Sequence, residues 1–115
     1  SAELMEAEEI ITTPGLDGIY IGPADLALSM GLPAMGDQPQ PEHLEEVKRL
    51  IALCKKHRVA VGIHTGGIEY TQKYLELGCN FIAMGSDSGH MMKAAAKELA
   101  EARGTQEKQR ESTGY

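Results

Sequence analysis

Clustered positive charge is the first thing this sequence lacks. Its 11 Lys and Arg stand against 17 Asp and Glu, a formal net charge of −6, whereas nucleic-acid modules usually gather a basic face. Lys55, Lys56 and Arg58 come nearest to such a cluster, and they sit where they close a helix, at the negative end of its dipole. Nucleic acid is therefore not an expected partner. Cysteine is scarce too. Cys54 falls on the apolar face of a helix and Cys79 beside a strand, so neither a disulfide scaffold nor a metal knuckle is indicated, and a reducing compartment is expected. Long hydrophobic runs are absent: no stretch approaches the roughly 20 apolar residues of a membrane span, and no signal peptide opens the chain. The expectation is a cytoplasmic protein with no membrane partner, and 115 residues suit one domain with a modest core.

What is present is a repeated alternation of helix and strand. Leu4, Ala7 and Ile11 lie on one face of a helix within Ala2–Thr12, which Pro14-Gly15 ends. Ile19 to Ile21 reads as a strand, Asp25 to Met30 as a short helix, and Gly31 to Gln40 as a Pro/Gly-rich loop. A long helix opens near Pro41, a good first-turn residue, and sets Leu44, Val47, Leu50, Ile51 and Cys54 along one face. Val59 to Ile63 is a second strand. A helix then runs from about Gly67 to Gly78, whose tolerance of positive φ suits a C-cap. Phe81 to Met84 is a third strand. The last helix is capped by Asp87 or Ser88 and is expected to bury Met91, Met92, Ala95, Leu99 and Ala102 as one core stripe.

Near-continuous apolar strands alternating with helices indicate an α/β fold with a buried parallel sheet. Three such units cannot close on themselves, and a full (β/α)8 TIM barrel takes about 250 residues. The expected architecture is therefore the C-terminal part of such a barrel over residues 1–103, holding what would be strands six, seven and eight. Residues 104–115 have too little apolar content to fold and are expected to form a loose polar tail.

The segment Ile19-Tyr-Ile-Gly-Pro-Ala-Asp25 carries the chemistry. A buried strand ends in a tight turn that presents backbone N–H groups and one carboxylate, at the sheet edge where α/β folds bind ligands. Its Gly-Pro-Ala-Asp-Leu run resembles the HpcH/HpaI family of metal-dependent pyruvate aldolases. The resemblance extends from Pro14-Gly-Leu-Asp-Gly-Ile-Tyr-Ile-Gly-Pro-Ala-Asp25 through Val61-Gly-Ile-His-Thr65 and Tyr74-Leu-Glu-Leu-Gly78 to Phe81-Ile-Ala-Met-Gly-Ser-Asp87. It implies a lyase cleaving 4-hydroxy-2-oxo acids to pyruvate and an aldehyde, with the aldol adduct as substrate. It also implies a divalent metal (Mg2+, Mn2+ or Co2+) and a homo-oligomer, a hexamer in intact relatives. Asp25 matches the family's aspartate ligand, while Gly22 and Ala24 belong to the turn whose N–H groups meet the pyruvate carboxylate. The partner glutamate falls upstream of Ser1, as do the family's catalytic His and Arg. No catalytic residue is therefore assigned here, and the chain alone is expected to be nearly inactive.

His64 and Ser86 stand where relatives often place apolar side chains against the aldehyde half of the substrate, which suggests a more polar acceptor. Plainer readings stand beside these, His64 as a packed, hydrogen-bonded histidine and Asp25 or Asp87 as a helix cap. His43, His57 and His90 are read as solvated or structural helix residues. Three alternatives remain. Thr65-Gly66-Gly67 and Gly85-Ser86 form a phosphate cradle in a phosphosugar-binding TIM barrel; the chain is related to citrate-lyase-type acyl-CoA enzymes; or it is a non-catalytic α/β module that self-associates through open sheet edges.

Overall fold

The computed structural model describes residues 2–113, with side chains described over 6–104. The elements are α1 (Ala2–Ile11), β1 (Gly18–Ile21), α2 (Pro23–Ser29), α3 (Pro41–Lys56), β2 (Ala60–Thr65), α4 (Ile68–Leu77), β3 (Phe81–Met84) and α5 (Asp87–Thr113). All three strands run parallel in the order β1-β2-β3. Ile21 lies opposite Ile63, which lies opposite Ile82. The expected α/β fold of strand–helix units is what the chain adopts. It divides into a first unit ending at Met84 and a second beginning at Gly85.

Strand alternation explains the core of the first unit. Ile21, Val61, Ile63 and Thr65 share one parity and are buried on the helix-covered face of the sheet. Val47, Ile51 and Cys54, spaced at four and three along α3, are buried with them, as is Tyr74 of α4. Removing a side chain such as Ile63 from water is worth about 1.5–3 kcal/mol, so this stripe-on-strand packing is what holds α3 to the sheet. Gly78 ends α4 at φ 111°, the left-handed C-cap that its sequence position predicts.

The opposite face of the sheet is built differently. Tyr20, Gly62 and Phe81 sit side by side in register on neighbouring strands. The two rings stack across the glycine, 6.0 Å between centroids and 13° from parallel. A Cβ at Gly62 would run into the Phe81 ring. Tyr20 is 51% exposed and Phe81 44%, so this aromatic face is uncovered within the described residues.

Four sequence expectations are corrected. The short helix α2 starts at Pro23 rather than Asp25, because Pro suits the first helical position. The second strand runs on to Thr65, which places His64 inside it. In the second unit, Met91, Met92, Ala95, Leu99 and Ala102 are all exposed rather than buried. An apolar stripe is buried only against another element, and this unit contains none besides α5. Finally, α5 continues past Arg103, so the backbone of 104–113 is helical where a loose tail was expected. The Gln, Glu, Lys and Arg that supply most of that stretch favour helix even without an apolar face. Residues 114 and 115 of that expected tail lie outside the described residues.

At the far end of α3, Glu8 of α1 accepts hydrogen bonds from His57 Nε2 at 2.8 Å and Lys56 Nζ at 3.3 Å. The His57 bond first, then Lys56, holds the Glu8 carboxyl below its ordinary value. A depressed carboxyl contributes stability that is fully present above its unfolded value and is lost as pH falls through its folded value. The acid limb of a thermal-unfolding-versus-pH curve should therefore be shallower in Glu8→Gln, by the modest amount expected of a surface pair. An unchanged limb would remove Glu8 from the account of α1 docking. Gly62→Ala should displace the Phe81 ring and abolish ring-to-ring NOEs with Tyr20. The stacking lost, about 0.5–1.5 kcal/mol, is set against up to about 1 kcal/mol that alanine gains over glycine in a strand. The stability change in urea should therefore stay small.

Candidate functional site

Parallel strands deliver their C-terminal ends to one edge of the sheet, and the residues singled out by sequence in the first unit gather there. β1 leaves the ladder after Ile21, and Gly22 starts the turn with φ −88° and ψ 100°. That backbone is open to any residue, so Gly22 is there for space. A Cβ on it would lie 2.9 Å from Asp25 Oδ2, and the missing side chain lets the carboxylate fold back over the turn. Pro23, Ala24 and Asp25 are the first three residues of α2. Pro23 has no N–H, and those of Ala24 and Asp25 have no intrahelical acceptor. No side-chain bond caps α2 and Asp25 is exposed. The plainer reading of Asp25 as a helix cap is thus not what the geometry shows.

His64 follows Ile63 as Gly22 follows Ile21, so the two occupy equivalent steps on adjacent strands. The imidazole shares the parity of Gly62, on the uncovered face, next to Ala83 of β3, and is half-buried. Ser86 belongs to the second unit. There its Oγ accepts the Gly89 N–H at 3.1 Å and lies 3.4 Å from Ser88 Oγ, so Ser86, not Asp87 or Ser88, caps α5. Asp87 accepts the Ser88 N–H instead, at 2.7 Å.

Two polar residues at this edge, Asp37 and Thr71, were not singled out by sequence, and His43, read as solvated or structural, proves buried. Asp37, in the loop between α2 and α3, accepts the Gly66 N–H through Oδ1 at 2.8 Å. Thr71 Oγ1 donates to the Gly67 carbonyl at 2.8 Å, which obliges the buried Thr65 hydroxyl to donate to Thr71 Oγ1 at 2.6 Å. His43, fully buried, places Nε2 2.9 Å from the Pro23 carbonyl. A carbonyl only accepts, so Nε2 carries the hydrogen. Nδ1 then has no partner, like the buried Tyr74 hydroxyl. His43 precedes Val47 and Cys54 by four and eleven residues on the buried stripe of α3, so its burial was readable from helical spacing. The Asp37 contact spans 29 residues, and no local pattern announces it.

These contacts decide among chemistries. Asp37 occupies the Gly66 N–H with a carboxylate, so the proposed phosphate cradle at Thr65-Gly66-Gly67 already holds an anion of its own. Burial pushes the Cys54 and Cys79 thiols up and the Tyr74 hydroxyl to about 12, with Tyr70 and Asp37 adding to the latter. None of the three is an activated nucleophile. Asp25 offers the oxygen donors a hard cation takes, but such ions need about six ligands. Among the described residues no group of three or more His, Cys, Asp or Glu could hold a metal ion. The donor fits in kind and not in number. One cavity of about 570 Å3 opens elsewhere, between α1, α2 and α3, lined by Ala7, Leu26, Met30, Glu46 and Leu50; none of the residues expected at the site lines it. No helix of the described residues is long and apolar enough to cross a membrane.

Replacing Thr71 by Val keeps its shape and removes the hydroxyl that serves both Thr65 and Gly67. Leaving the buried Thr65 hydroxyl without its acceptor should cost about 1–3 kcal/mol in a urea titration. A wild-type midpoint would show that the relay does not contribute.

Known proteins resemble this chain in sequence and in fold. The sequence model of the HpcH/HpaI aldolase/citrate lyase family matches residues 1–94. The 5-keto-4-deoxy-D-glucarate aldolase of Klebsiella pneumoniae is 37% identical over 95 residues, which are 83% of this chain and 36% of that enzyme. The hydroxypyruvate/pyruvate aldolase of Paraburkholderia phytofirmans is 33% identical over 100 residues, 87% of this chain and 38% of the enzyme. A crystal structure of a HpcH/HpaI aldolase/citrate lyase family protein from Burkholderia cenocepacia superposes with a TM-score of 0.79 at 36% identity, over 87% of this chain and 38% of that one. The chain thus spans little more than a third of the length of the curated relatives it matches. Motif, sheet and turn converge with these likenesses, and the chain belongs to the HpcH/HpaI aldolase/citrate lyase family.

Proposed function

We propose that this chain forms part of the mouth of a divalent-metal-dependent aldolase that cleaves 4-hydroxy-2-oxo acids to pyruvate and an aldehyde. The observation that carries the reading is the Gly22–Asp25 turn. It sets an exposed, uncapped carboxylate beside two outward N–H groups at the carboxyl edge of a parallel sheet. In this reading Asp25 is one oxygen ligand to Mg2+, Mn2+ or Co2+, and the remaining ligands lie outside the described residues. When bound, the cation supplies charge stabilisation for an enolate oxygen. The turn around Gly22 and Ala24 receives the carboxylate of pyruvate through its N–H groups. His64, half-buried on the uncovered face, borders the aldehyde half and favours a polar acceptor. Ser86 is the second polar residue of the proposal; within its own unit its oxygen accepts from Gly89 and lies 3.4 Å from Ser88 Oγ. None of these groups is assigned the base that takes the hydroxyl proton. The relatives favour an aldolase over a citrate-lyase-type enzyme, since both named above are aldolases. Homo-oligomerisation belongs to the same reading, with exposed Met91, Met92 and Leu99 of α5 available to a neighbouring subunit.

A second reading, a non-catalytic self-associating module, is favoured by the uncovered Tyr20–Phe81 face. Titrating the 15N-labelled chain with Mn2+ separates the two. The aldolase reading expects amide broadening centred on Ala24 to Leu26, weak in affinity and reduced more than about tenfold by Asp25→Ala, since even outer-shell partners of a metal are worth that much. Broadening that ignores Asp25→Ala would overturn it. Pyruvate release by the isolated chain, abolished by chelator, would overturn the accompanying expectation that it is nearly inactive.

A further inference from the structure

The β1–β2 ladder cannot by itself fix the distance between the Asp25 turn and the Gly66 turn that follows His64. Pairing of β1 with β2 extends only to Ile21 and Ile63; beyond that pair β1 turns into α2, while β2 runs on beside β3 to Thr65 before it turns at Gly66. One other segment reaches both. We infer that Asp37 and His43 are positioning residues: from a single stiff stretch they brace the two strand-end turns and set the spacing between them.

Two hydrogen bonds carry this inference, and they are formed independently. His43 Nε2–H donates to the Pro23 carbonyl at 2.9 Å, 20 residues away in sequence and two positions before Asp25. Asp37 Oδ1 accepts the Gly66 N–H at 2.8 Å, two positions after His64. The first is fully buried, and the second pairs a charged acceptor with a backbone donor, the stronger class of hydrogen bond.

The stretch between them is itself held. Gln38 is 3% exposed; its Nε2 donates to the Pro33 carbonyl at 2.7 Å and its Oε1 accepts the Gln40 N–H at 3.3 Å. Pro39 and Pro41 restrict φ on either side of Gln40. The His43 N–H then closes on the Gln40 carbonyl at 3.1 Å. A displacement at one end of such a stretch is passed to the other. This bracing is a matter of geometry, and its value for metal and substrate rests on the aldolase reading above.

Two separate local caps would give the same static contacts, so the test looks for transmission. Hydrogen exchange is followed at Gly66 and at Leu26, whose N–H bonds the Gly22 carbonyl in the Asp25 turn. Asp37→Ala should speed exchange at Gly66 at least about tenfold and at Leu26 severalfold, with the Ile63 amide still protected. Asp37→Asn keeps an acceptor and should stay near the parent. His43→Leu should produce the reciprocal pattern, and His43→Gln, which keeps a donor at comparable reach, should restore it. Should both truncations unfold, Asp37→Glu lengthens the brace by one methylene and must shift amide resonances in both turns. Effects confined to the altered turn, or conservative variants behaving like the truncations, would falsify the brace. In the Mn2+ titration, affinity should fall with Asp37→Ala and return with Asp37→Asn; an affinity unmoved by a variant that loosens the Asp25 turn would refute the positioning role. A chain that binds no Mn2+ at all would sink the aldolase reading while the exchange data still decide the brace.

Discussion

Parallel pairing at Ile21, Ile63 and Ile82 is the constraint on which the rest of the first unit depends. Parallel strands must be joined by crossovers, which here are helices, and the helices in turn require the near-continuous apolar strands that pack beneath them. The same geometry sends every strand out at one edge. Polar residues far apart in sequence, Asp25 and His64 among them, therefore arrive at that edge without any local instruction to meet. Slipping one strand by a single residue would reverse its faces, moving Ile63 out and His64 in.

How much of this was legible depends on the range of the interaction that fixes each part. The α3 stripe and the Gly78 cap are short-range patterns, and the structure keeps each where its spacing placed it; the Gly-Pro-Ala-Asp segment is also local, but its turn passes into α2 already at Pro23. The end of β2 was harder to read. Gly66-Gly67 marks the turn, but His64 carries no strand signal that distinguishes it from loop, and pairing with Ala83 and Met84 is what holds it and Thr65 extended. Asp37 was invisible because its partner lies in another strand–helix unit. The stripe of α5 was misread for a different reason. Periodicity reports that a helix has an apolar face, and says nothing of whether a partner is present within the same unit.

Family membership and local geometry meet at Asp25 with different strengths. Membership rests on likeness over most of this chain, yet that likeness covers only 36–38% of the named relatives. The missing side chain of Gly22 leaves room for the exposed carboxylate, and the start of α2 leaves over two N–H groups beside it. A lone carboxylate also repels anionic ligands until a cation offsets it, so an occupied metal position and carboxylate binding at this turn would reinforce one another.

The aromatic face has an optical corollary. The sequence contains no tryptophan, so its intrinsic emission comes from its four tyrosines. Tyr74 is sealed in the core with an unpartnered hydroxyl, and Tyr70 lies under the Lys73 ammonium. Among the described residues, Tyr20 alone stacks on a phenylalanine across a glycine, half open to solvent. Whatever polypeptide or ligand closes over that side of the sheet must change the surroundings of this one ring, which makes Tyr20 a built-in chromophore for occupancy of the barrel-side face.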